Sequence, residues 1–172
     1  MHIPFSIATL SLLSLVNSQS TNTTYLVAPA LITRNNHTVI QCWKLASPFK
    51  GSATPGISGA QVATISNNTN FAYTIVPPRF DGGLHTAPVP QIVHFFSGFA
   101  HVTLPHDDSV GLWFVGGKGG LGFALDTTGT GHITTYPSDQ ETLIITAPFA
   151  DGIVPEHEVL NEGPCGGKQT FI

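Results

Sequence analysis

Two histidines are the residues of this chain best suited to chemistry. His85 lies in the segment Gly83–Gln91, and His132 ends the segment Asp126–His132. Both segments are rich in turn-forming residues and adjoin runs typical of β-strands. An imidazole exchanges protons near physiological pH and is also a common metal ligand. The pair therefore predicts one site, for proton transfer or for metal binding.

Two charged residues near these histidines are candidate helpers. Asp126 could assist proton transfer from the rim of a cavity, or it could bond the backbone of its own Thr/Gly turn. Arg79 could anchor an anionic or enolate oxygen, or it could pair with Asp81 across a turn. The sequence leaves both alternatives open.

The segments around these residues predict an all-β protein. Short runs of β-branched and aromatic residues are separated by Gly, Pro, Asn or Asp, and no long segment has helical periodicity. This pattern is typical of a β-sandwich or β-barrel. The predicted strands are Tyr25–Ile32, Thr38–Leu45, Gln61–Ile65, Phe71–Val76, Gln91–Phe96, Phe99–Leu104, Leu112–Val115, Leu121–Leu125, His132–Tyr136 and Thr142–Ala147.

The intervening segments are expected to be loops. They are Ser47–Ala60, Pro105–Val110, Gly116–Gly120 and a tail of little strand character from Ala150 to Ile172. Five aromatic residues on the strands are expected to face the core or a cavity: Phe71, Tyr73, Phe95, Trp113 and Phe123. Alternation along the strands predicts that His94 and His101 point away from that cavity.

The composition excludes a nucleic-acid-binding surface. Charged residues make up 9% of the 172 residues, and the formal net charge is −4. An average protein has about 25% charged residues, and binding to phosphate backbones needs clustered positive charge. The predicted partner is a small molecule.

The N-terminus predicts export. Residues 1–20 resemble a secretory signal peptide, with an apolar run shorter than the roughly 20 residues of a membrane-spanning helix. Residues 21–172 then form the predicted mature domain. Glycosylation sequons begin at Asn22, Asn36 and Asn67. Cys42 and Cys165 would close a loop of over a hundred residues if paired, the alternative being two free thiols. We therefore expect a secreted, extracellular protein with no stable membrane insertion.

The two histidine segments resemble the motifs of the cupin superfamily. His85, Ala87, Gln91 and Gly98 fall on the spacing of the first cupin motif, and Gly129–His132 match the end of the second. The resemblance covers residues 71–147, about half of the mature chain. It implies a small single-domain cupin β-barrel (a double-stranded β-helix, or jelly roll). It also implies action on a small metabolite, since many cupins serve secondary metabolism.

The chain departs from the cupin pattern at two metal-ligand positions. Ala87 replaces a histidine and Gln91 replaces a glutamate. His85, Gln91 and His132 could hold Zn, Fe or Mn loosely, although a divalent metal usually takes three or more good ligands. Without a metal, His85 and His132 could catalyse isomerisation, cyclisation or dehydration by proton transfer. A non-catalytic binding module and a structural extracellular barrel are the alternatives, and a homodimer is left open.

Overall fold

The computed structural model describes residues 23–166, so the predicted signal peptide and the sequon at Asn22 lie outside the described residues. In this range the chain forms strands and one short 3-10 turn, Ala150–Gly152. The strands are β1 Tyr25–Arg34, β2 His37–Pro48, β3 Lys50–Gly51, β4 Gln61–Val62, β5 Ala72–Val76, β6 Phe80–His85, β7 Gln91–Ser97, β8 Phe99–Leu104, β9 Asp107–Val115, β10 Leu121–Ala124, β11 His132–Tyr136, β12 Thr142–Pro148 and β13 His157–Glu162. The all-β prediction is confirmed.

The strands form two main sheets. The larger has the order β13-β2-β1-β10-β7-β12-β5, and the smaller has the order β6-β11-β8-β9, with β3 and β4 forming a separate two-stranded ribbon. β1 and β10 run parallel, whereas the other pairs in these sheets are antiparallel. Within the described residues no sheet closes on itself as a barrel. The arrangement is compatible with a β-sandwich.

The main core lies between the two sheets. Its buried residues come from strands of both layers, among them Phe95 and Ile144 of the larger sheet and Val102 and Phe114 of the smaller. Alternation along β8 buries Ala100, Val102 and Leu104, because every second side chain of a strand points to the same face. This face supplies one wall of the core, and it is the face that the sequence predicted to be apolar.

A second core lies on the other face of the larger sheet. It contains Ala28, Trp43, Phe123 and Phe149, and loop residues such as Ile65 pack against it. β1 contributes to both cores, with Leu31 in the first and Ala28 in the second. Because β1 is covered on both faces, its sequence is almost continuously apolar rather than alternating.

The disulfide between Cys42 and Cys165 confirms the predicted pairing. Cys42 lies in β2 and is joined to Cys165 across 123 sequence positions. The tail that carries Cys165 was expected to have little strand character, and this expectation is wrong: β13 pairs antiparallel with β2. Most of its residues are exposed, because it is the outer strand of the sheet. An edge strand of this kind does not need the apolar alternation on which the prediction relied.

Four further segments differ from the predicted elements. The predicted loop Ser47–Ala60 contains β3, and the predicted strand Gln61–Ile65 is reduced to the two residues of β4. β6 was not predicted, because Gly82 and Gly83 interrupt the apolar pattern that marks a strand. It nevertheless pairs with β11, with a bulge at this point and a φ of 64° at Gly83. Most of the predicted loop Pro105–Val110 belongs to β9, which turns back tightly from β8.

The expectation that five aromatic residues face the interior is only partly confirmed. Phe95 and Phe123 are buried, whereas Phe71, Tyr73 and Trp113 are exposed. Tyr73 lies on β5, the other edge of the larger sheet, and Trp113 lies on β9, an edge of the smaller one. Edge strands are covered less completely by neighbouring elements, so an aromatic side chain there does not have to be internal.

Gly98 makes the turn from β7 to β8 possible, and its replacement provides a test of the packing. Its φ is 71°, and an added Cβ would collide with the Thr142 side chain, including its buried hydroxyl. We expect Gly98→Ala to lower the free energy of unfolding by about 1–3 kcal/mol, from backbone strain plus overpacking. Denaturant unfolding measures this loss.

Gly117→Ala is the matched control for that substitution. Gly117 also has a positive φ, of 90°, but nothing lies within 4 Å of its Cβ position. In the control, the free energy of unfolding should therefore fall only by the cost of backbone strain, about 1 kcal/mol. Equal losses in the two variants would show that the contact with Thr142 does not contribute.

Candidate functional site

The two histidines lie side by side on neighbouring strands of the smaller sheet. In the antiparallel pair of β6 and β11, His85 is directly opposite His132. Their ring centroids are 4.5 Å apart, and the ring planes are inclined by 60°. His132 is 6% exposed, whereas His85 is exposed. Residues separated by 47 positions in the chain are therefore brought together by the pairing of two strands.

Both histidines line a cavity between the two sheets, with a volume of about 380 Å³. This size is in the range of small-molecule sites, which measure about 300–1,000 Å³. The wall is mainly apolar, and it contains no Asp, Glu, Lys or Arg. The polar side chains on the wall are Thr74, His85, Gln91, His132, Thr134, Tyr136 and Thr146.

Asp126 lies deeper than the rim position expected from the sequence. Its side chain is fully buried, and Oδ2 accepts hydrogen bonds from His132 Nδ1 at 2.7 Å and from Thr38 Oγ1 at 3.0 Å. Oδ1 has no hydrogen-bond partner among the described residues. Asp126 therefore supports His132 through its side chain instead of bonding the backbone of its own turn.

These hydrogen bonds determine which nitrogen of each histidine is available to a ligand. An ionised carboxylate can only accept, so His132 Nδ1 carries the proton and Nε2 carries the lone pair. His85 Nδ1 likewise donates to the carbonyl oxygen of Gly83 at 3.0 Å. Both rings thus keep Nε2 as an acceptor. The buried Asp126–His132 pair has the arrangement of a general base whose orientation and positive charge are supported by a carboxylate.

Thr38 is the residue of this site that sequence reasoning missed. It is fully buried at the start of β2, where its hydroxyl donates to Asp126 and its backbone N–H donates to Thr130 Oγ1 at 3.1 Å. In the sequence it appears only as the third residue of the sequon at Asn36 and as the first residue of a predicted strand. The hydrogen bond to Asp126 is a structural reason for a threonine here. Asn36 and Asn67 themselves are exposed.

Gln91 is a polar group of the cavity wall whose side chain the described part of the protein does not hydrogen-bond. It is 8% exposed, and no side-chain hydrogen bond to it occurs within residues 23–166. The buried side-chain atoms that lack a partner in the described residues are Asp126 Oδ1 and Thr142 Oγ1, so the Gln91 amide keeps some contact with solvent or with the cavity space. It offers N–H donors and a carbonyl acceptor to a molecule in the cavity.

The donor set does not fit a divalent metal well. The described part of the chain holds no group of three or more His, Cys, Asp and Glu side chains placed to bind one ion. His85 and His132 would be joined only by the neutral oxygen of Gln91. Zn, Fe and Mn usually take at least three good ligands. The candidates for the chemistry of the site are therefore the protein groups themselves.

Arg79 lies outside the cavity wall. Its guanidinium is 75% exposed and pairs with Asp139, not with Asp81 as one interpretation of the sequence had it. Asp81 instead accepts a hydrogen bond from the backbone N–H of Gly83 at 2.9 Å. Arg79 has a positive φ of 55° at the turn before β6, and it is absent from the cavity lining. It is not positioned to hold a ligand oxygen there.

The remaining histidines do not belong to this wall. His94 and His101 are absent from the cavity lining, as the alternation predicted, and His101 stacks on Trp113 with ring centroids 4.2 Å apart. Burial lowers the pKa of His94. His37, His106 and His157 are exposed, as expected from their polar surroundings.

Comparison with protein-family models, with curated proteins and with solved structures finds no match to this chain. The interpretation of the site therefore depends on its geometry. Among residues 23–166 there is no helix long and apolar enough to cross a membrane.

Proposed function

We propose that this protein is a secreted, cupin-like protein that acts on a small organic molecule by proton transfer at His132. The observation that carries this proposal is the fully buried Asp126 carboxylate bonded to His132, whose other nitrogen is free beside an apolar cavity. An imidazole with one nitrogen bonded to a carboxylate and the other beside an apolar cavity is suited to act as a general base.

The proposed reaction moves a proton from one atom of the substrate to another. His132 Nε2 takes a proton from a carbon next to a carbonyl group, and the electron pair of the broken C–H bond moves onto the carbonyl oxygen. The Asp126 carboxylate stabilises the imidazolium that forms, while an N–H of Gln91 can bond the enolate oxygen. Return of the proton to a different atom completes an isomerisation and regenerates His132. Loss of a hydroxyl group with that proton would give a dehydration.

His85 is suited to deliver or accept protons at the entrance. It is exposed, and its ring lies against that of His132, which is buried. Two imidazoles at this distance provide one group for removing a proton and a second for returning it.

Two further observations support the wider proposal. The Cys42–Cys165 disulfide is suited to an oxidising compartment, which supports secretion. Two facing sheets, with His85 and His132 on adjacent strands against an internal cavity, support the cupin-like fold.

Hydrogen–deuterium exchange tests the proposed chemistry without knowledge of the natural substrate. The first probe is benzylacetone, an uncharged aryl ketone, incubated with the protein in deuterium oxide and followed by NMR. We expect the protein to accelerate exchange at the carbons next to the carbonyl. His132→Gln should reduce this acceleration by about 10²–10⁴-fold, the usual contribution of a positioned base.

His94→Gln is the matched control, because His94 does not line the cavity. It should exchange the probe as fast as the unmodified protein. If His94→Gln and His132→Gln reduced the acceleration of exchange equally, the assignment of the base to His132 would be contradicted. Binding of the ketone without accelerated exchange would instead favour the non-catalytic binding module.

A further inference from the structure

The cavity extends along β11 well beyond the Asp126–His132 pair. His132, Thr134 and Tyr136 occupy alternate positions of this strand, and all three line the cavity. A strand rises about 3.3 Å per residue, so the Cα atoms of His132 and Tyr136 are roughly 13 Å apart. The two residues therefore mark opposite ends of one elongated wall.

The neighbouring strand β6 repeats this arrangement. His85 lies opposite His132, and Phe80 lies opposite Tyr136, with ring centroids 6.1 Å apart. Gly82 lies between these two positions of β6 and also lines the cavity. Because a side chain at Gly82 would meet the backbone of β11, glycine allows β6 and β11 to pair closely between the two ends of the wall.

The far end of the cavity offers a hydrogen-bond donor. Tyr136 is half-buried, and no hydrogen bond to its hydroxyl occurs within the described residues. Burial raises the pKa of this hydroxyl, so it keeps its proton at physiological pH. At the other end, His132 Nε2 and the Gln91 amide are available. Both ends are thus polar, and each has hydrogen-bonding capacity that the protein does not use.

The middle of the cavity favours an uncharged, apolar body. Phe95 and Phe114 stack there with ring centroids 4.8 Å apart, and Val93, Val102 and Ile144 complete the surface. No cationic side chain is present in the wall to compensate a carboxylate or phosphate, and the buried carboxylate of Asp126 lies behind His132. Burying an uncompensated charge in such a site is expensive.

We infer that the ligand of this cavity is an uncharged, elongated molecule with an apolar middle and a polar group at each end. One end meets His132 and Gln91, and the other carries an oxygen that accepts a hydrogen bond from the Tyr136 hydroxyl. The assignment of the reacting end rests on the proposed function, whereas the length, the neutrality and the contact with Tyr136 do not.

A series of three biphenyl compounds tests this inference by calorimetric titration of the full-length protein. They are para,para′-biphenol, with a hydroxyl at both ends, para-phenylphenol, with one, and biphenyl-para,para′-dicarboxylate, with a charge at both ends. We expect the diol to bind roughly three- to tenfold more tightly than the mono-ol, the worth of one net hydrogen bond. The dicarboxylate should bind at least tenfold more weakly than the diol.

Tyr136→Phe should remove the preference for the diol over the mono-ol while keeping the binding of the mono-ol. Tyr73→Phe is the matched control, because Tyr73 is 61% exposed and does not line the cavity, and it should keep the preference. Equal binding of diol and mono-ol, tight binding of the dicarboxylate, or a preference that survives Tyr136→Phe would each overturn the inference. Those results would leave the deuterium exchange at His132 unaffected, so the two proposals fail independently.

Discussion

Asp126→Asn is expected to slow proton transfer in the cavity by about 10²–10⁴-fold without unfolding the protein. The amide has nearly the same shape as the carboxylate, but it cannot neutralise the imidazolium of His132. Its NH₂ group can also donate to Nδ1, which would place the proton of the ring on Nε2 and remove the base. The measurement is the exchange of benzylacetone in deuterium oxide.

The expected effect on stability distinguishes this substitution from simple damage to the fold. The Asp126 carboxylate is fully buried, and its Oδ1 has no partner among the described residues. The substitution removes a buried, incompletely bonded charge, but it also weakens the hydrogen bonds that His132 and Thr38 donate to that carboxylate. We therefore expect the free energy of unfolding to fall by no more than about 1–3 kcal/mol, so that the variant stays folded while the exchange rate falls.

Asp139→Asn is the matched control for the charge change. Asp139 is exposed and pairs with Arg79 outside the cavity, so its replacement should leave the exchange rate unchanged. An Asp126→Asn variant that exchanges the probe at the normal rate would refute the role of the carboxylate. A variant that unfolds would refute the expectation for stability.

Replacing both Cys42 and Cys165 by serine is expected to lower the free energy of unfolding by about 5 kcal/mol. The bond spans 123 positions, and the chain-entropy relation gives this value for a loop of such length. Small proteins have a total stability of about 5–15 kcal/mol, so the variant should be close to unfolding. Denaturant unfolding of the double variant and of the unmodified protein measures the difference.

Lys44→Ala separates the cross-link from the pairing of the strands it joins. Lys44 of β2 forms an ion pair with Glu158 of β13, so this substitution weakens the same pair of strands without opening the disulfide. A surface ion pair contributes up to about 1 kcal/mol. If the free energy of unfolding fell no further in the double serine variant than in Lys44→Ala, the disulfide would not be a main source of stability.

Much of the fold follows from local pattern. Strand residues alternate between two faces, so the sequence predicts that Phe95 and Val102 are buried while His94 and His101 face away from the cavity. The same rule fails where a strand is not half-buried. β13 is an edge strand, and β6 carries two glycines, so neither has the apolar periodicity that identifies a strand.

The sequence by itself determined the all-β class. It also gave the pairing of the two cysteines as one of two alternatives, and it indicated His85 and His132 as candidates for chemistry. Only the tertiary structure decided what surrounds them. The bond from Thr38 to Asp126 joins positions 88 apart, and the pair of Arg79 with Asp139 joins positions 60 apart. Such contacts depend on how strands are ordered and registered in a sheet, which local residue pattern does not encode. For the same reason only the structure revealed the depth of Asp126 and the alignment of Tyr136 with His132.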